Sequence, residues 1–222
     1  MTEVKPTVFV IDDDASVCKS LSRLLRSMGL EVEVFASAEL FLKREHYGGV
    51  GCILLDVQMP GLSGMDLQQE LNKADYHIPI IFITGHGDIP ISVEATKKGA
   101  VDFLTKPFDD EELLEAVRKA IEKDRKAKAE RAEVHDILKR MERLTPREKE
   151  IVRYVITGML NKQIALKLDI AEKTVKVHRG RIMEKLCVDS VAELVRLAEK
   201  AGTKPLDREV HCPIHNLGSS WK

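Results

Sequence analysis

The chain has 222 residues, 44% hydrophobic and 32% charged, a length and composition suited to two modest globular domains that each bury a core. No apolar run approaches the roughly 18 residues a membrane span requires, and Met1-Thr2-Glu3-Val4-Lys5-Pro6 lacks a signal peptide's apolar stretch, so a cytoplasmic location is expected. The net charge of −1 conceals a division: residues 1–122 carry 12 Lys+Arg against 21 Asp+Glu, whereas residues 140–202 carry 14 against 9, which calls for different partners front and back.

Val8–Ile11 reads as a buried strand that runs into Asp12-Asp13-Asp14. Val17, Leu21, Leu24, Leu25 and Met28 then form a helical stripe that Gly29 ends. Val32–Phe35 gives a second strand, Ser37 caps a helix through Leu40–Leu42, and Cys52–Leu55 is a third strand closed by Asp56. The loop Met59-Pro60-Gly61-Leu62-Ser63-Gly64 precedes a helix near Met65–Asn72. Ile78–Ile83 reads as a fourth strand interrupted early by Pro79, a helix is expected over Ile91–Lys98, and Val101–Leu104 is a fifth strand. Asp109 opens a helix carrying Leu113, Leu114, Val117 and Ile121 on one face.

Five βα units predict an α/β fold, an open doubly wound five-stranded parallel sheet, because parallel strands need helical crossovers. One common order, flavodoxin-like, is 2-1-3-4-5, with ligands beyond the strand carboxyl ends. The stretch 123–139 is rich in helix formers and reads as an exposed helical linker. The four cysteines, Cys18, Cys52, Cys187 and Cys212, show no CxxC pairing and read as buried or incidental thiols.

From 140 to 202 a second, all-α domain is expected. Thr145 caps, Pro146 takes the first helical position and Glu148 completes a capping box, and four helices follow near 146–157, 161–168, 172–186 and 190–201. Asn161, Asp169 or Ala171, and Ser190 lie near their starts. The 161–168 and 172–186 pair, joined by a tight turn, has helix-turn-helix character. The tail 203–222 reads as irregular, and its His211, Cys212 and His215 as an incidental cluster rather than a metal site.

The predicted sheet gathers Asp12, Asp13, Asp56, Thr84 and Lys106 at one edge. Three carboxylates in close proximity repel one another unless a cation compensates, and Mg²⁺ favours such oxygen ligands while leaving positions for phosphate. A carboxylate can also take up a phosphoryl group as an aspartyl phosphate, the role expected of Asp56. Lys106 can balance charge on the transferred group and the Thr84 hydroxyl can hydrogen-bond it. Asp14 reads as a helix cap and His86 as a solvated loop residue.

At this point the chain resembles the receiver domain of bacterial two-component response regulators, through Ile11-Asp12-Asp13-Asp14, Leu55-Asp56-Val57-Gln58-Met59-Pro60-Gly61, Ile83-Thr84-Gly85-His86-Gly87 and Thr105-Lys106-Pro107-Phe108. The resemblance implies phosphorylation at Asp56. It implies Mg²⁺, for which Mn²⁺ or another divalent cation can substitute, held by Asp13, Asp56 and the Gln58 carbonyl, with Asp12 acting mainly through water. It further implies a cis Lys106-Pro107 bond and makes Phe103, otherwise a core aromatic, a switch residue beside Thr84.

Leu144-Thr145-Pro146-Arg147-Glu148 through Thr174-Val175-Lys176-Val177-His178-Arg179 resembles the LuxR-type helix-turn-helix. Residues 4–202 as a whole resemble the NarL/FixJ family, and Gly85-His86-Gly87-Asp88-Ile89-Pro90 its FixJ-like branch. By that resemblance Lys176, Val177 and Gly180 approach bases, although Gly180 lacks the longer polar side chain often found there. Lys173, Thr174, Arg179 and Arg181 become phosphate contacts or flanking readers. The implied partners are a sensor histidine kinase, promoter DNA and a second copy of the chain paired through the last helix, whose stripe of Val191, Leu194, Val195 and Ala198 is in large part core packing, with RNA polymerase a further partner that the family admits. A competing reading makes the receiver a docking module and DNA binding independent of phosphorylation. An enzymatic output finds no catalytic motif in 140–202.

Overall fold

The computed structural model describes residues 5–85 and 100–206. The expected helix Ile91–Lys98, the loop residues His86 and Asp88, and the tail cluster of His211, Cys212 and His215 lie outside the described residues. In chain order the elements are β1 (Thr7–Ile11), α1 (Ala15–Ser27), β2 (Glu31–Phe35), α2 (Ala38–Leu42), β3 (Gly51–Asp56), α3 (Gly64–Lys73), β4 (Ile80–Thr84), β5 (Asp102–Thr105), α4 (Asp110–Glu142), α5 (Pro146–Val155), α6 (Asn161–Leu168), α7 (Glu172–Leu186) and α8 (Val191–Lys200). The chain divides into two compact units between Glu130 and Arg131.

In the first unit the sheet is parallel throughout, in the order β2-β1-β3-β4-β5. β1, β3 and β4 are buried along their whole length, because helices cover both faces and each side-chain row must find an apolar neighbour. Alternation sends Val8, Val10, Cys52 and Leu54 toward Leu21 and Leu25 of α1 and Leu113 and Val117 of α4. Phe9, Ile11, Ile53 and Leu55 pack on the other face with Phe41, Leu67 and Leu71.

Local chemistry sets the boundaries. Asp14 caps α1 by accepting from the Ser16 and Val17 amides, and Gly29 takes a positive φ of 78° where the chain leaves that helix. Met28 does not complete the α1 stripe; it sits at the C-cap, 47% exposed. β4 begins after Pro79 rather than at Ile78: proline has no N–H for the ladder, but its carbonyl accepts from the Ile53 amide at 2.9 Å. β5 lies one residue later than the apolar run suggested.

The charged stretch after Ile121 is helical, as expected, but its first part is not wholly exposed. Asp124 is 1% exposed and accepts from the Gly51 amide at 2.8 Å and from Lys128 Nζ at 2.7 Å, and Lys128 also donates to the Gly49 carbonyl. A boundary at residue 122 therefore leaves out two residues that bond to the first unit.

In the second unit α5–α8 close around Ile151, Val152, Ile164, Val175, Ile182, Leu186, Leu194 and Ala198. The α5 capping box forms as predicted, with Thr145 Oγ1 accepting from the Glu148 amide and Glu148 accepting from the Thr145 amide at 2.8 Å. Asn161 is not the cap of α6; Leu160 holds that position, and the Gln163 side chain accepts its amide at 2.8 Å. Ala171 and Ser190 cap α7 and α8.

Candidate functional site

Parallel pairing puts the carboxyl ends of β1, β3 and β4 side by side, with Asp12 directly after β1, Asp56 ending β3 and Thr84 ending β4. Asp12 and Asp56 are 3% and 7% exposed, too buried for two unscreened charges. Lys106 resolves this by placing Nζ 2.8 Å from Asp12 Oδ2 and 2.9 Å from Asp56 Oδ1. Its own amide donates to the Thr84 carbonyl at 2.7 Å, and the Lys106-Pro107 bond that follows is cis, as the resemblance implies.

The remaining carboxylate oxygens meet backbone donors. The Asp14 amide donates to Asp12 Oδ1 at 2.8 Å, and the Gln58 amide donates to Asp56 Oδ2 at 2.7 Å. Burial raises the pKa of Asp56, Lys106 works against that rise, and the Asp12 charge adds to it. For Lys106, burial alone would favour the neutral amine, but hydrogen bonds to both aspartates prevail and leave its pKa raised.

The expected trio of carboxylates is here a pair with an internal ammonium: Asp13 is exposed, and among the described residues no group of three His, Cys, Asp or Glu side chains is disposed to hold a metal ion. The donor set nevertheless fits a hard divalent cation. Two carboxylates share one ammonium, so a negative charge remains, and each oxygen keeps a second lone pair. Thr84 is buried, Gln58 is exposed, and Phe103 is half-buried against the face that includes Phe82 and Ala100.

Two supporting residues escaped the sequence reading. Glu39 accepts from the Leu62 amide at 2.9 Å and so steadies the loop after β3. Gly64 packs so closely that a Cβ there would collide with the Asp56 carbonyl oxygen. The run Pro60-Gly61-Leu62-Ser63-Gly64 marks a turn but does not reveal which glycine meets backbone.

In the second unit α7 buries Val175, Ile182 and Leu186 and exposes Lys173, Thr174, Lys176, Val177, Gly180 and Arg181. This separates core from surface as predicted. A Cβ at Gly180 would meet open space, so close packing does not require glycine there. Arg179 lies to one side, half-buried, with Nη1 2.8 Å from Asn161 Oδ1.

The family model for the response regulator receiver domain matches residues 8–118, and the model for bacterial regulatory proteins of the luxR family matches residues 142–198. The chain belongs to the NarL/FixJ family of response regulators. It is 50% identical over 198 residues to Nodulation protein W of Bradyrhizobium diazoefficiens, covering 89% of this chain and 87% of that protein. The solved structure of the response regulator StyR shares 48% identity at a TM-score of 0.81, covering 89% of this chain and 100% of that one. Full-length FixJ from B. japonicum shares 42% identity at a TM-score of 0.56, covering 90% and 98%. The chain is thus a two-component response regulator with a receiver and a LuxR-type DNA-binding domain, and these two domains imply a kinase and DNA as partners.

Proposed function

We propose that Asp56 accepts a phosphoryl group from a cognate sensor histidine kinase and that its occupancy controls sequence-specific DNA binding and transcription. The observation that carries this reading is Lys106 Nζ bridging Asp12 and Asp56 at the sheet's carboxyl edge. An Asp56 oxygen attacks phosphorus, the donor's P–N bond breaks as the O–P bond forms, and the leaving imidazole takes up a proton. Lys106 then balances charge on the new phosphoryl oxygens. Asp12, Asp13, Asp56 and the Gln58 carbonyl would hold Mg²⁺ or a substitute divalent cation. When bound, that ion supplies charge neutralisation to the phosphoryl oxygens.

The Thr84 hydroxyl binds the phosphoryl group and the half-buried Phe103 follows it, shifting a pre-existing equilibrium. The output is a homodimer on promoter DNA. Leu194 and Ala198 serve the domain's own core, which leaves Val191 and Val195 of the expected stripe for a partner. Lys176, Val177 and Gly180 approach bases, while Lys173, Thr174, Arg179 and Arg181 flank them, the disposition expected of a helix in the major groove. RNA polymerase would be met at the promoter. No described helix is long and apolar enough to cross a membrane, in keeping with work in the cytoplasm.

The test pairs intact-mass measurement with DNA binding. With Mg²⁺ and acetyl phosphate the wild type should gain one phosphoryl group and Asp56→Asn none, and beryllium fluoride should strengthen wild-type DNA binding only. Equal phosphorylation of both proteins, or equal DNA affinity in all conditions, would overturn the reading.

A further inference from the structure

We infer that Asn161 is a positioning residue for DNA binding: it holds the Arg179 guanidinium in a cleft that Lys162 and Lys176 also line, so that the guanidinium grips one backbone phosphate. The inference rests on the proposal that the exposed side of α7 faces DNA, and adds a residue from α6.

Arg179 lies on the flank of α7, between the buried row of Val175, Ile182 and Leu186 and the exposed row of Lys173, Val177 and Gly180. That flank meets the start of α6, where Leu160, Asn161, Lys162, Glu172, Lys176 and Arg179 line a shallow cleft. Three of these are cations and one is an anion, so the cleft carries net positive charge. An unrestrained arginine has many side-chain rotamers, and part of that freedom is lost on gripping a phosphate. The 2.8 Å bond from Nη1 to Asn161 Oδ1 removes much of that freedom during folding. It uses one of five N–H donors and leaves four, enough for a bidentate contact to phosphate oxygens. Asn161 is neutral, so it orients the guanidinium without cancelling the charge that attracts DNA; an aspartate there would do both.

Asn161 is the first residue of α6, with Leu160 in the cap position and Gln163 accepting the Leu160 amide, and the Asn161 side chain is turned to α7. Packing alone would not require this division, since the Asn161 side chain is only partly buried.

The full-length protein, activated with beryllium fluoride and Mg²⁺, is titrated with a mixed-sequence DNA duplex across a series of salt concentrations. Asn161→Ala should weaken binding about fivefold, the scale of immobilising one rotamer-rich side chain. Arg179→Ala should weaken it further and lower the slope of log K against log salt by about 0.9, one phosphate contact. The double variant should bind no worse than Arg179→Ala. If Asn161→Ala fails to fold, Asn161→Ser, which suits a first helical turn but lacks the reach, takes its place. An Asn161 loss that persists undiminished in the Arg179→Ala background, or an Asn161 variant that binds as wild type, overturns the positioning role. If Arg179→Ala and Lys176→Ala leave affinity and salt slope untouched, the DNA-facing assignment of α7 fails first.

Discussion

Replacing Asp124 by alanine removes the acceptor at the join between the receiver sheet and the long helix α4. Its carboxylate is 1% exposed and receives the Gly51 amide at 2.8 Å and Lys128 Nζ at 2.7 Å. Loss of the first bond orphans a buried N–H, at roughly 1–3 kcal/mol. Loss of the second strips Lys128 of its counter-charge. That costs less than the roughly 3–5 kcal/mol of a fully buried pair, because the Lys128 side chain is 25% exposed and keeps the Gly49 carbonyl. Together the loss should be about 3 kcal/mol, over a hundredfold in the folding equilibrium. Asp124→Asn keeps an acceptor for Gly51 and gives up only the charge pairing, so it should cost about 1 kcal/mol. Urea unfolding followed by far-ultraviolet circular dichroism measures both. Amide exchange at Gly51 should accelerate in Asp124→Ala and stay slow in Asp124→Asn. An alanine variant within about 0.5 kcal/mol of wild type, or an asparagine variant as damaged as the alanine one, would refute the claim that a hydrogen-bonded latch fixes α4 here.

Gly64→Ala should destabilise the receiver by about 1–3 kcal/mol and slow labelling of Asp56 by acetyl phosphate, because the new methyl meets the Asp56 carbonyl and backbone must yield; thermal unfolding and labelling rates check both. Asp56 has a raised folded-state pKa, so its favourable contribution to folding is present below the ordinary value near 3.8 and is lost as pH rises through the folded value. Without divalent cations Asp56→Asn should therefore melt above wild type at pH 7, and the gap should narrow as pH falls toward the ordinary carboxylate value. Glu148 has the opposite sign: burial works against its charge, but hydrogen bonds from Lys185 and Thr145 prevail and lower its pKa. Its stabilisation is present above the ordinary value near 4.5 and lost as pH falls through the folded one. Glu148→Gln should cost the DNA-binding unit about 1–2 kcal/mol at pH 7, a difference that shrinks in acid melts.

Legibility in the sequence followed the range of the interactions. Strands buried on both faces advertise themselves as unbroken apolar runs, and caps such as Asp14, Ser37 and the Thr145–Glu148 box lie within three residues of what they satisfy. Asp56 and Lys106 were readable because each closes or follows a strand, and parallel topology alone brings strand ends together. Asp124 was not, because it stands in a run of charged helix formers and the backbone group it satisfies is the Gly51 amide, 73 residues away. The same holds for Asn161, which looks like a helix start until its bond to Arg179, 18 residues on, is seen.

The latch and the proposed phosphoacceptor share one strand. β3 carries Gly51 at its amino end and Asp56 at its carboxyl end, is buried at all six positions, and is flanked by β1 and β4. An element packed on both faces and bonded on both edges has little room to slide, since interiors resist continuous deformation. A charge change at Asp56 is therefore poorly conveyed along β3 to Asp124 in the middle of α4. β5 differs: it has a described strand neighbour only in β4, and its Asp102 and Phe103 are half-buried. Thr84 ends β4 and pairs with Thr105 of β5, while the Lys106 amide bonds the Thr84 carbonyl. Two of the residues that would bind the phosphoryl group, Thr84 and Lys106, thus sit at the carboxyl end of a partly exposed edge strand. The latch holds the middle of α4, at Asp124, as a fixed reference while the β4–β5 edge responds, and this division favours the proposed switch working through the edge surface rather than through release of the helix.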